Sequence, residues 1–319
     1  MDSNKESKGT SYNATFRERA ARRVTETGWR WTRAVVLVAI AAAATGAQAV
    51  DVDAGDYTAL PAGTNLGLVY YQHAERNKLY SGGNQVPINA GLDSDVGILR
   101  GVHFMKIGDY IVDPQFLLPF GKLKGKDGLS ALGSGSGTGD LILAATAWLV
   151  NDPKAKTYFG ITPFLFLPTG TYDRSKALNL GENRWKFALQ GGYITPLSES
   201  VTLDMIGDVT VFGKNDDFGA GATSQTLKQK AQFQVQSYLR YHVSPAFDLR
   251  AGLSHTWGGE TTVNGVNQND RGATSKFSLG GAYFIGPKTQ LLATYGRDMD
   301  VRQGLKESGR INLRVLQIF

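Results

Sequence analysis

The sequence predicts an all-β protein, a transmembrane, antiparallel, up-and-down β-barrel of about 12 strands, and three observations carry that expectation. The chain closes on a period-2 segment, Arg310 to Phe319, with Ile311, Leu313, Val315 and Phe319 on one face and Arg310, Asn312 and Arg314 on the other. A strand that is apolar on one side and cationic on the other needs lipid outside and water, or paired polar groups, inside. The sequence beyond residue 49 reads as short alternating segments whose connections switch between tight turns and longer polar stretches, as short periplasmic turns and long external loops would. No apolar run after residue 49 reaches the roughly 20 residues that a spanning helix requires, whereas 39 glycines suit many turns and bulges.

The N-terminal element reads as an export signal over residues 1–49. Arg17, Arg19, Arg22, Arg23, Arg30 and Arg33 lead into the apolar run Ala34 to Ala44, and Ala47-Gln48-Ala49 supplies small residues for cleavage ahead of Val50. About 11 apolar residues are too few for a spanning anchor. Arg22-Arg23 lies too far from the apolar run for twin-arginine export, so general secretion to the outer membrane of a Gram-negative cell is expected. The leader holds eight Lys/Arg and four Asp/Glu, so its removal lowers the net charge from +6 to +2. The basic balance therefore gives no ground for nucleic-acid binding. With no cysteine, disulfides and thiolate metal sites are excluded.

Residues 50–64 precede the first strand and carry Asp51, Asp53 and Asp56. Two readings stand: a periplasmic tail, or a segment folded into the lumen with its carboxylates meeting inward Lys and Arg. The barrel then occupies 65–319. Its strands are expected near 65–74, 92–105, 110–120, 140–150, 157–171, 184–195, 201–212, 229–243, 247–257, 275–285, 289–299 and 310–319. Longer connections fall near 75–91, 121–139, 172–183, 213–228, 258–274 and 300–309. An even strand count places both ends in the periplasm.

Face assignment follows from parity. Lys230, Gln232, Gln234, Gln236, Tyr238 and Arg240 share one side of the eighth strand, against Ala231, Phe233, Val235, Leu239 and Tyr241. Asp248, Arg250 and Ser254 oppose Phe247, Leu249 and Leu253 on the ninth. Tyr241, Phe247, Trp257, Tyr283 and Phe319 lie at strand ends, where interfacial aromatics gather. The fourth and fifth strands differ, because Trp148, Phe164 and Phe166 fall on the inward side. The lumen is thus expected to have one apolar, aromatic wall and one wall rich in charge.

Several stretches carry a resemblance. They are Gly139 to Leu143, Phe166-Leu167-Pro168-Thr169-Gly170-Thr171-Tyr172-Asp173, Asn179-Leu180-Gly181-Glu182-Asn183-Arg184-Trp185-Lys186-Phe187, and the early Pro61 to Asn65. The chain resembles the outer-membrane family named for the meta-pathway of phenol degradation, whose members are described as candidate transporters. The likeness runs over the mature chain in spacing, with its sharp motifs between residues 139 and 187. It implies a barrel that admits hydrophobic or aromatic compounds, lies in outer-membrane lipid and is inserted by the barrel assembly machinery, for which Phe319 is the expected signal.

The candidate substrate-binding residues in the lumen are Trp148, Phe164, Phe166, Arg184, Lys186, Lys230, Arg240 and Arg250. The bland reading makes the aromatics steric filling and pairs Arg184 and Lys186 with Asp140, Asp204 or Asp208. His73, His103, His242 and His255 fall at different rims, so no metal centre is expected. Ser254 and His255 point to opposite faces and make no catalytic pair. Gly133 to Gly139 lacks the Lys-Ser/Thr ending of a phosphate loop and precedes a strand. Neither enzyme activity nor a cofactor is expected. The function these readings support is passive uptake of small hydrophobic or aromatic solutes, with a non-conducting structural or surface-interaction barrel as the alternative. An autotransporter translocator is disfavoured, since only about 15 residues separate Val50 from the first strand.

Overall fold

A chain that alternates apolar and polar side chains can satisfy all its backbone groups in lipid only by closing its sheet. The computed structural model, which describes residues 51–219 and 223–319, does so with 12 long strands. In chain order these are β1 (Asn65–Ser81), β2 (Ala90–His103), β3 (Tyr110–Asp127), β4 (Leu141–Asp152), β5 (Thr157–Leu167) and β6 (Lys186–Pro196). There follow β7 (Val201–Phe212), β8 (Gln232–Ser244), β9 (Phe247–Gly258), β10 (Gly272–Phe284), β11 (Thr289–Val301) and β12 (Gly304–Ile318). Each pairs antiparallel with its sequence neighbour, and β12 closes on β1 from Leu66↔Ile318 to Tyr80↔Gly304. The leader expected over 1–49 lies outside the described residues.

The pleat sorts the side chains as their parity requires. Phe233, Leu249 and Leu313 point outward and are 41%, 47% and 45% exposed, as lipid-facing residues must be when no lipid is counted. Gln234, Gln236, Arg250 and Arg314 face the bore and are buried. On β4 and β5, Leu143, Leu149 and Leu165 face out while Trp148, Phe164 and Phe166 are buried inside. A bulge between Trp148 and Val150 turns Val150 outward beside Leu149.

Both described ends of the barrel lie at one rim, here the terminal rim, with the connections at 108–109, 153–156, 197–200, 245–246 and 285–288. At the opposite, loop rim three long connections expected from the sequence turn out to be mostly strand, 121–139 through the end of β3 at Asp127 and a short strand Ser134–Thr138. The stretch 75–91 extends β1 to Ser81 and brings β2 in at Ala90, and 300–309 contains only a two-residue turn, Arg302-Gln303. Loop lengths therefore do not alternate strictly. The tall part of the wall is polar outside, which makes it read as loop. Bulges at Glu75, Arg76 and Lys78 also break its period. What it buries is a satellite core, Leu79, Leu92, Leu129, Leu132 and Leu178, that sits under the loops. The loops after β7 and β9 pair in a small four-stranded sheet over Phe218, Leu227 and Val263.

Candidate functional site: a crossed lumen between two cavities

Three closely spaced carboxylates cannot enter a barrel interior unless cations meet them, because an unpaired buried charge is costly. Ahead of β1, residues 51–60 lie inside the barrel and cross it. Asp53 is 2.8 Å from Arg314 of β12. Asp56 reaches Arg100 of β2 at 2.8 Å and Arg314 at 3.0 Å. Asp51 accepts from Gln234 of β8 at 2.8 Å and lies 3.3 Å from Arg310. The backbone is held as well: Arg250 of β9 donates to the Ala54 carbonyl at 2.6 Å, and the Gly55 N–H donates to Asp204 of β7 at 2.5 Å. Val52 pairs with the far wall through its N–H to Gln236 and its carbonyl to the Tyr238 hydroxyl.

Tyr57 anchors the crossing on the fifth and sixth strands. Its ring lies on Gly192 and Gly160, where a Cβ would stand 2.2 Å and 3.1 Å from ring carbons. At Gly192 no side chain fits while Tyr57 stays in place. The Tyr57 hydroxyl donates to Gln190 at 3.0 Å and shares a 2.9 Å bond with Thr162, and its carbonyl accepts from the Trp148 indole at 2.9 Å. Trp148 in turn stacks on Phe104.

Cavities lie on both sides of this layer. The outer one, about 310 Å³, has Phe166, Ile142, Leu117 and Leu180 as apolar lining and Lys186, Glu182, Arg76 and Arg310 as charged lining. The inner one, also about 310 Å³, is lined by Arg100, Arg240, Arg314, Leu66 and Leu316 toward the terminal rim. A narrow cavity of about 120 Å³ lies between them. It shares Gln72, Ile98 and Arg310 with the outer cavity, and Ala54, Asp56, Arg100 and Arg250 with the inner one.

The eight candidate residues separate. Phe166 and Lys186 line the outer cavity together, with the Lys186 ammonium 4.3 Å from the Phe166 ring centre and Phe164 packed beside Phe166. Arg240 and Arg250 line the inner cavity, and Trp148 supports Tyr57. Arg184 lies ahead of β6, donating to Glu182 and Gln229 at 2.7 Å and stacking over Phe212. Lys230 does not line the lumen. It sits before β8 with a side chain 67% exposed and paired with Glu260, because β8 begins three residues later than the sequence suggests.

The partners of Arg184 and Lys186 also differ from expectation. Both pair with Glu182, not with Asp140, Asp204 or Asp208. Asp140 instead accepts the backbone N–H groups of Gly170 and Glu182, each at 3.0 Å. Burial pushes the Glu182 carboxyl up, but Lys186 and Arg184 outweigh it and hold it below its ordinary value. For Asp140 burial prevails over the two N–H donors, and its carboxyl is raised. Residues that the sequence reasoning passed over include Arg100, Tyr57 and Gln72, while Arg314 was placed on the polar face of the last strand but not among the site candidates. Parity already places Arg100 and Gln72 inward, but nothing local marks them as partners of a segment elsewhere in the chain.

The histidines stay in separate local bonds: His73 with Asp95, His103 with Asn65, His242 with Thr202 and His255 with Ser275. Among the described residues no three His, Cys, Asp or Glu side chains converge as a metal site would require. Phe319 is 69% exposed, and its N–H donates to Asn65 at 3.0 Å.

Residues 76–315 match the family described as "Putative MetA-pathway of phenol degradation". An outer membrane channel from Pseudomonas putida F1 superposes with a TM-score of 0.81 at 43% identity, covering 84% of this chain and 100% of that one. The β domain of the Bordetella autotransporter BrkA gives a TM-score of 0.53 at 11% identity over 80% of this chain and 99% of that one, a likeness of fold alone. No curated protein matches the sequence.

Proposed function

Because the chain belongs to the outer-membrane barrel family of the meta-pathway of phenol degradation, we propose that it is a channel for passive entry of small hydrophobic or aromatic compounds. One observation supports this above the rest: an outer cavity with apolar Phe166, Ile142 and Leu117 adjoins a narrow space beside residues 51–56, which in turn adjoins an inner cavity of similar volume. Mostly apolar walls with a few placed polar groups are what small-ligand sites use. The loop rim would face outward and the terminal rim the periplasm, with residues 1–49 removed on export.

The segment 51–60 acts in this reading as a hatch. Its ties to strands on every side keep the lumen narrow, and passage of a ring past Asp56 and Tyr57 requires it to shift. Those same ties favour the second reading, a non-conducting structural barrel. Entry of phenol, a neutral one-ring amide and a fatty acid into proteoliposomes, each corrected for protein-free vesicles, separates the two. Entry of at least one above the protein-free rate is expected. Entry of none overturns the channel reading and leaves the structural one.

A further inference from the structure

We infer that the outer cavity admits uncharged one-ring solutes carrying a single hydrogen-bonding group and rejects their carboxylates, with Glu182 and Asn312 as the residues that set this choice. The inference rests on the channel reading above and adds the chemical class of the cargo.

Three cations line the outer cavity, and each already faces a carboxylate. Lys186 is paired with Glu182. Arg76 and Arg310 grip Glu307 at 2.6 and 2.7 Å, and Arg310 also lies 3.3 Å from Asp51. The remaining carboxylate, Asp140, is taken up by two backbone N–H groups. An entering benzoate would have to shed its water and finds no cation on this lining that is not already paired with a carboxylate. Drawing Lys186 away from Glu182 would weaken the pairing of a carboxylate that is itself largely buried, and breaking such a pair is strongly unfavourable.

An uncharged ring meets the opposite situation. Phe166, Ile142 and Leu117 give it apolar contact. At the neck toward the middle cavity stand two amides, Gln72 of β1 and Asn312 of β12, which are direct cross-strand partners and both line the neck. These two amides can exchange a hydrogen bond with a hydroxyl or amide N–H that passes the neck, without either side bringing charge. The middle cavity, about 120 Å³, is the smallest of the three and favours a cargo of one ring.

The test uses the mature barrel in proteoliposomes near neutral pH and follows benzamide and benzoate, similar in shape and different in charge, each corrected for protein-free vesicles. Wild type should pass benzamide at least about tenfold faster than benzoate, the discrimination expected when one charge must be buried without a partner. Glu182→Gln leaves Lys186 unbalanced and should raise benzoate entry about tenfold. Since Glu182 also holds Arg184, resistance to unfolding in detergent is checked first. Asn312→Leu, which leaves the Glu182 pairs intact, should slow benzamide severalfold while benzoate stays at its low rate. Equal entry of the two solutes into wild type overturns the inference while the channel reading stands. So does an unchanged benzamide-to-benzoate ratio in both variants. If neither solute enters above the protein-free rate, the inference is overturned, and the channel reading is decided by phenol and the fatty acid in the same vesicles.

Discussion

The outer cavity and the crossed layer beneath it both carry many charges, yet they neutralise them differently. Around the outer cavity most cations find a carboxylate within the barrel and its loops: Glu182 is shared by Lys186 and Arg184, and Glu307 by Arg76 and Arg310. In the crossed layer much of the compensation is imported. Arg100 and Arg314 find their carboxylates on Asp53 and Asp56, outside the strands altogether. A wall whose cations keep carboxylates of the barrel, as Arg310 keeps Glu307 beside Asp51, makes a fixed chamber. A wall whose charge is balanced by a separable segment makes a gate, because moving the segment changes both the width and the field of the bore.

Removing residues 51–60 should break that contrast most severely. Three carboxylates leave the lumen, and Arg100, Arg314 and Arg310 remain. Single-channel conductance is expected to rise severalfold, and the reversal potential in a salt gradient should shift toward anion preference. Unchanged conductance would show that the segment does not limit passage. Arg314→Ala should come next. It strips Asp53 of its cation and leaves Asp56 with Arg100 alone, and breaking a buried pair in this way costs about 3–5 kcal/mol. The segment should then be released part of the time, seen as frequent openings in a bilayer recording.

A smaller effect is expected at the Tyr57 seat. Gly192→Ala places a methyl inside the Tyr57 ring, and such overpacking costs about 1–3 kcal/mol. Gly191 is the control, since its Cβ would meet only Phe159 at 3.8 Å. Gly192→Ala should raise the opening frequency and Gly191→Ala should not. Equal behaviour of the two would mean that Tyr57 does not hold the segment.

The same division explains what could be read from the sequence. The strands, their order and their faces follow from a period of two, which lipid enforces on every residue of the wall; Phe233, Leu249 and Leu313 are examples. Above the apolar band lipid no longer enforces it, and there the reading failed: Lys78, Lys122 and Lys306 belong to strands although their surroundings look like loop. Lys230 failed for the related reason that a strand boundary moved by three residues. The site was legible only as composition. Parity places Phe166 and Lys186 inward, but the identity of Glu182 as their neighbour depends on how the loop 168–185 folds back, and the seating of Tyr57 on Gly192 joins positions 135 residues apart in the sequence. The three acids of 51–56 and the inward arginines were visible separately, while their match is a property of the closed barrel.

Titration sharpens the contrast within the outer cavity, and its effects should be the smallest. Glu182 and Asp140 are adjacent, yet their carboxyls are displaced in opposite directions. The folded Glu182 has its pKa below the unfolded value, so its pairs add stability above the ordinary glutamate range near about 4.3, and that stability is lost as pH falls through the lowered value. The folded Asp140 has its pKa above the unfolded value of about 3.9, so the fold binds its proton more tightly and loses stability as pH rises through that interval. Thermal unfolding of wild type, Glu182→Gln and Asp140→Asn across the acid range tests both. The deficit of Glu182→Gln relative to wild type should grow as pH rises, while that of Asp140→Asn should shrink. Parallel pH dependence of the two deficits would mean that the Lys186 and Arg184 charges do not outweigh burial at Glu182, and the cavity would then hold an excess of uncompensated cations.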